Sequence, residues 1–197
     1  MTRRKPFSND LYVVSSSVGE LKRAVDDGAA IVQLRDKTGD EATVLEKARE
    51  LVEYKKARHF VFILNDDPAL AVKVGADGVH VGQDMSTLDA RAIVGEEMIV
   101  GKTTHNLEQG RQAIKDGADY ISTGPVYATP TKPGRTPVGL AYVREAAEHL
   151  DIPAVAIGGI DLSNVDDVLA AGAKTIGVVR ASSDAVELLK RIRKAVK

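Results

Sequence analysis

The chain has 197 residues, 44% of them hydrophobic and 28% charged, with a formal net charge of −1. This suits one globular domain spanning 1–197 with a sizeable core, and it provides no overall field to attract nucleic acid or an anionic membrane. Aromatic residues make up 4%, with no tryptophan and no cysteine, which argues against base-stacking platforms and excludes disulfides, thiolate catalysis and cysteine zinc sites.

Short apolar runs alternate with longer amphipathic ones. Strands are expected at Leu11–Val14, Ala30–Arg35, Val61–Asn65, Gly78–Val81, Ile99–Lys102, Tyr120–Thr123, Ala154–Ile157 and Thr175–Val179. Helices are expected at Val18–Asp27, Asp40–Lys56, Pro68–Val74, Ser86–Val94, Leu107–Asp116, Leu140–His149, Leu162–Ala171 and Ser183–Val196. Asp40, Ser86 and Asn106 suit helix N-caps, and Asp67-Pro68 reads as a cap followed by a first-turn proline. A repeat supports the pattern: Gly28, Gly75, Gly117 and Gly172 each end a helix just before an even-numbered strand. Eight β/α units imply parallel strands with helical crossovers. Of the two architectures that fit, a doubly wound sheet and a closed (β/α)8 TIM barrel, the barrel is favoured. There are eight complete units, and nearly every strand ends in a polar residue. No apolar run is long enough to span a bilayer, and no leader-length apolar segment follows the basic start at Met1–Pro6, so a cytoplasmic protein is expected.

The stretch Ile31–Lys37 carries the first functional signal. Side chains along a strand alternate between faces. Gln33, Arg35 and Lys37 therefore share one face, and Val32, Leu34 and Asp36 the other. If that strand is buried, its cations need an anion, either protein carboxylates or a phosphate-bearing ligand.

In a barrel the carboxyl ends of the strands converge on one rim. That rim would collect Asn65, Asp66 and Asp67; His80, Gln83 and Asp84; Thr103, Thr104 and His105; Thr129–Lys132; Gly158-Gly159; and Arg180 with Ser182. Arg35, Lys37 and Lys132 would then face Asp66 and Asp84. Mg²⁺ is typically held by one or two carboxylates together with substrate phosphates, so this set points to a Mg²⁺–diphosphate. A ring of ion pairs internal to the protein is the competing reading. Gly158-Gly159 would let a phosphate approach the backbone, with Ile160-Asp161 opening a helix behind it. The Pro-, Thr- and Gly-rich loop 128–139 suits a lid or a stiff connector. His59 and His149 fall near surface helix ends, His80 reads as a packed strand residue, and His105 is a minor rim candidate.

Taken in order, Gln33-Leu34-Arg35-Asp36-Lys37, Leu64-Asn65-Asp66, Gly75 through Asp84, Gly124-Pro125-Val126 through Lys132, and Ile157-Gly158-Gly159-Ile160 make the chain resemble the thiamine phosphate synthase family from Leu11 onward. The resemblance implies a (β/α)8 barrel that joins a hydroxymethylpyrimidine diphosphate to a thiazole phosphate and releases diphosphate. It implies that Gln33, Leu34, Arg35, Asp36, Lys37, Asn65, Thr103 and Lys132 hold the pyrimidine substrate. Thr129, Pro130, Thr131, Gly159, Val179 and Arg180 would hold the thiazole phosphate, and Asp66 and Asp84 would hold Mg²⁺. Arg35, Lys37 and Lys132 would carry catalysis by stabilising the departing diphosphate. Three positions differ from the family's common pattern. Asp84 follows Gln83 directly where one residue usually intervenes, Thr103 stands for serine, and Arg180 stands for serine. The related thiazole tautomerase is an alternative, as is a thiamine-precursor-binding protein without activity. The former expects a histidine near Thr123-Gly124-Pro125, where this chain has none. Small-molecule substrates are the expected partners, and a homo-oligomer is left open.

Overall fold

Eight parallel strands close on themselves, with β1 hydrogen-bonded to both β2 and β8. The computed structural model describes residues 10–131 and 134–195. In order the elements are β1 (Leu11–Ser15), α1 (Val18–Asp26), β2 (Ile31–Leu34), α2 (Glu41–Lys55), β3 (Val61–Asn65), α3 (Pro68–Val74), β4 (Gly78–Val81) and α4 (Thr87–Val94). There follow β5 (Ile99–Thr104), α5 (Leu107–Lys115), β6 (Tyr120–Thr123), α6 (Gly139–His149), β7 (Ala154–Ile157), α7 (Val165–Ala170), β8 (Thr175–Val178) and α8 (Ala185–Ala195), the last entered through a 3-10 turn at Ser182–Asp184. The (β/α)8 barrel expected from the alternation is the fold observed.

The helix starts follow the capping chemistry. Asp40, Asp67, Ser86 and Asn106 each accept the backbone N–H three residues ahead, at 2.8–3.0 Å. The four repeat glycines all lie in the left-handed region, with φ between 73° and 102°. The acid that follows two of them has a further use. Asp77 accepts the N–H of Phe62 on β3 and pairs with Lys55, and Asp119 accepts the N–H of Val100 on β5 and pairs with Arg91. These carboxylates lock adjacent strands at the amino end of the barrel.

Two apolar layers result from the alternation. Leu34, Phe62, Leu64, Val79, Val100 and Ile176 face the helices, where the stripe of α2 (Val44, Leu45, Ala48, Leu51, Val52) packs. Tyr12, Val14, Ile31, Ile63, Tyr120 and Val155 fill the barrel interior. Gly101 supplies room there, because a Cβ at that position would collide with the ring of Tyr120.

Most elements differ from expectation at one end or both, by one to three residues, and three of the shifts bear on the site. β5 continues two residues past Lys102 because the Thr104 hydroxyl is satisfied by the Ser122 carbonyl and by Tyr142. β2 ends at Leu34, with only the Arg35 N–H continuing the ladder to Ser15. α7 begins at Val165, later than Leu162, because Asp161 and Asn164 bond within a preceding turn. No helix among the described residues is long and apolar enough to cross a membrane.

Candidate active site

A cavity of about 910 Å³ opens at the carboxyl ends of the strands. Gln33, Arg35, Lys37, Asn65, Asp66, Asp84, Thr103, Thr129, Thr131, Gly159, Val179 and Arg180 all line it. Lys132 lies outside the described residues.

Strand alternation decides what β2 contributes. Gln33 is buried, and Arg35 and Lys37 follow it into the mouth. Leu34 packs among the helices, and the Asp36 side chain turns the same way. One oxygen of Asp36 accepts from the Thr38 and Gly39 backbones and the Thr38 hydroxyl, and the other meets Lys47 of α2 at 2.7 Å. Leu34 and Asp36 do not line the cavity; their side chains hold the strand and its loop from behind. Pro130 is likewise absent from the cavity lining, although both flanking threonines belong to it.

The Arg35 guanidinium makes no salt bridge to any described residue. Lys37 is paired with Asp66. Asp66 sits at φ 63°, a left-handed conformation unusual for a residue with a side chain. Burial pushes its carboxyl pKa up, but Lys37, the Asn65 side chain and the Gly82 N–H pull it down further, and the net position is below the ordinary carboxylate value.

Asp84 reaches the same point from the turn after β4. A Cβ built on Gly82 would lie 2.6 Å from Oδ1 of Asp84 and 3.7 Å from Oδ1 of Asp66. Two carboxylates thus converge over a glycine whose missing side chain leaves their shared space open. Hard oxygen donors in that number suit Mg²⁺, with phosphate oxygens and water filling the remaining positions. The described residues contain no cluster of three or more His, Cys, Asp or Glu that could hold a metal. Two carboxylates by themselves would leave most of a Mg²⁺ shell to be filled by other oxygens.

Beneath these groups runs a buried polar chain. Gln33 Nε2 donates to the Tyr12 hydroxyl at 2.7 Å, and the Tyr12 and Tyr120 hydroxyls are 2.8 Å apart. Tyr120 is 2.9 Å from His80 Nδ1, and His80 Nε2 is 2.9 Å from the Thr103 hydroxyl. Burial pushes both phenols well above their ordinary pKa, so each stays protonated and can pass a hydrogen bond onward. The chain fixes Gln33 and Thr103 on opposite walls of the cavity. His80 is packed and hydrogen-bonded, as its place in the strand suggests. Tyr12 and Tyr120 were not among the expected site residues. Their in-phase alternation with Val14 and Ser122 is the signal that could have found them.

The far wall is built by the loop after β6 and the ends of β7 and β8. Gly158 and Gly159 have φ of 106° and 67°, and a Cβ on Gly159 would lie 2.9 Å from the Ala128 carbonyl oxygen. The pair thus seats the loop that carries Thr129 and Thr131. The helix expected directly behind it starts only at Val165. Arg135 also lines the cavity, a cation the sequence reading missed although it lies in the loop singled out as a lid. Arg180 is exposed at the rim, where its charge helps hold the Asp161 carboxyl below its ordinary pKa, after the Ser163 hydrogen bonds.

A family model described as thiamine monophosphate synthase matches residues 9–182. The chain belongs to that family. A thiamine-phosphate synthase from Gloeobacter violaceus is 48% identical over 176 residues, covering 87% of this chain and 52% of that protein. One from Thermus thermophilus is 46% identical over 176 residues, covering 88% of this chain and 84% of its own. The chain spans about half the length of the Gloeobacter relative and of several others. Among solved structures, thiamine phosphate pyrophosphorylase from Pyrococcus furiosus superposes with a TM-score of 0.87 at 29% identity, covering 100% of both chains. The resemblance read from the motifs is thereby borne out. Asp84, which follows Gln83 directly, comes round to the same space as Asp66.

Proposed function

We propose that the protein is a thiamine phosphate synthase. It would condense 4-amino-2-methyl-5-(diphosphooxymethyl)pyrimidine with a thiazole phosphate to give thiamine phosphate and diphosphate, which makes it a transferase. The observation that carries this is Arg35: a guanidinium in the barrel mouth, without a carboxylate partner among the described residues, beside a cavity of about 910 Å³. Buried or half-buried cations need a counter-charge, and an anionic substrate supplies it.

The bond from the methylene carbon to the diphosphate oxygen breaks with its electron pair leaving on diphosphate. The thiazole nitrogen lone pair then forms the new carbon–nitrogen bond. No proton changes hands in these steps, so neither needs a general base. Arg35 grips the diphosphate in a fork, and Lys37 exchanges the Asp66 carboxylate for a phosphate oxygen. Lys132 is a third cation that the family motif assigns to the diphosphate. Gln33, Asn65 and Thr103 orient the pyrimidine, and Thr129, Thr131, Gly159, Val179 and Arg180 receive the thiazole phosphate. Asp66 and Asp84 would hold Mg²⁺, which when bound neutralises charge on the leaving diphosphate. Residence in the cytoplasm belongs to the same proposal.

The test is product formation from the two substrates with Mg²⁺. Thiamine phosphate made by the wild type and lost in Asp66→Ala supports the reading. A wild type that binds both substrates and releases no product would instead identify a precursor-binding protein.

A further inference from the structure

We infer that Lys102 is a positioning residue for the divalent-cation site, clamping the turn between β4 and α4 so that the carboxylate of Asp84 meets that of Asp66. The inference rests on the proposed metal role of those two acids and adds a residue that touches neither substrate nor cavity.

Lys102 lies on the outer face of β5. Thr103 lines the cavity, whereas Thr104 bonds Tyr142 in the helix layer, and Lys102 shares the face of Thr104. Its side chain is half-buried and curls over the turn. Nζ donates to the carbonyl of Gly82 at 2.5 Å and to that of Met85 at 2.6 Å. These are the first and last residues of the four-residue segment that contains Asp84. From within the turn, Gln83 donates to the Thr103 carbonyl. β5 therefore grips both ends and the middle of the segment.

An ammonium is a costly group to place here. It makes no salt bridge to any described residue, and burial lowers its pKa, partly offset by the charges of Asp84 and Asp116. If the position only filled space, an unbranched apolar side chain would do so without desolvation. A compact donor with three hydrogens bridges two inward-facing carbonyls, which a single-hydrogen donor cannot do.

Lys102 acts on a bound cation in two opposed ways. Its charge repels the ion, and its hydrogen bonds place an ion ligand. The affinity of a charge-removing variant shows which dominates. The experiment is Mn²⁺ titration in the presence of inorganic diphosphate, followed by the electron paramagnetic resonance of free Mn²⁺. The proteins are the wild type, Lys102→Met, Asp84→Asn and the double variant. Lys102→Met is expected to weaken Mn²⁺ binding about tenfold, the range for residues that orient a ligand. The double variant is expected to bind no more weakly than Asp84→Asn alone, since Lys102 acts through Asp84. Unchanged or tighter binding by Lys102→Met, or additive losses in the double variant, overturns the inference. Asp84→Asn binding Mn²⁺ like the wild type removes the metal role and the inference together. Asp84→Asn weakened with Lys102→Met unchanged removes the inference alone. Circular dichroism checks folding, and Lys102→Leu, which also lacks a donor, carries the same comparison if Lys102→Met does not fold.

Discussion

Lys47 Nζ stands 2.7 Å from Oδ2 of Asp36, on the helix side of the loop whose other side presents Arg35 and Lys37 to the cavity. Lys47, then the N–H groups of Thr38 and Gly39, hold the Asp36 carboxyl well below the usual carboxylate range. The unfolded chain should titrate near pH 3.9. A group whose folded pKa is depressed contributes stability above its unfolded pKa and loses it as pH falls through the folded value. Asp36→Asn is thus expected to be less stable than wild type at pH 7, with the gap narrowing progressively below about pH 4.5, where the unfolded wild-type chain takes up a proton at Asp36 that the folded protein does not. Urea titrations at several pH values measure the gap, and one that stays constant down to pH 2.5 contradicts this account. The variant should also lose kcat/KM, because the loop carrying both cations is no longer pinned.

Arg35 and Lys37 should separate in their effects. Arg35→Gln removes a charge that pairs with no described residue, so the thermal midpoint should stay within a degree or two of wild type, as for surface substitutions. Its kcat/KM should fall about 100-fold or more, the cost of losing one electrostatic donor to developing charge. Lys37→Gln frees Asp66 from its partner. It should lower kcat/KM as well, but bind Mn²⁺ alone more tightly than wild type. Steady-state rates and metal titrations distinguish the two, and equal behaviour of the variants would contradict the assignment of Arg35 as the unpaired cation.

Much of this site is legible in the alternation of Ile31–Lys37. Period-two geometry puts Gln33 and Arg35 on one face and Leu34 and Asp36 on the other. The structure follows that geometry where the family motif, taken as a block, assigns all five residues to substrate. What alternation cannot give is distance between remote segments. Tyr12 and Tyr120 meet across 108 residues, and only the closed barrel brings their hydroxyls together. The approach of Asp84 to Asp66 depends on the path of one turn, and Gly82 is informative only once both carboxylates are seen beside it. Thr103 and Thr104 look like loop residues because threonine hydroxyls need partners, and those partners come from Ser122, Tyr142 and His80 on other elements.

Gly82→Ala tests the carboxylate pair directly. Its methyl group would sit 2.6 Å from Asp84 Oδ1, inside van der Waals contact, so the acid must rotate away from Asp66. Gly82 is not among the glycines with positive φ, so the backbone accepts alanine. The expected outcome is a rise of about tenfold in the Mg²⁺ concentration needed for half-maximal rate, with little change in thermal midpoint. An unchanged Mg²⁺ requirement would mean that Asp84 does not ligate the ion from this position.

Arg91 offers a control at the opposite end of the barrel. Its Nη1 donates to the carbonyls of Gly95 and Met98 at 2.8 and 2.6 Å, and Nη2 to the Gly117 carbonyl at 2.9 Å and to Asp119 Oδ2 at 2.5 Å. Asp119 in turn accepts the Val100 N–H at 2.8 Å, so one guanidinium ties α4, β5 and the entry to β6. The Arg91 and Asp119 side chains are only 12% and 16% exposed. Removing one partner of a largely buried pair leaves the other without compensation, at a cost of about 3 kcal/mol. Arg91→Leu should lose about that much unfolding free energy, while the folded fraction keeps wild-type kcat, because the cavity lies at the other rim. Adding Asp119→Asn to Arg91→Leu should cost less than Asp119→Asn alone, since the carboxylate is already unpaired. Full additivity of the two losses, or a lower kcat in correctly folded Arg91→Leu protein, would show that the amino end does more than hold the strands in register.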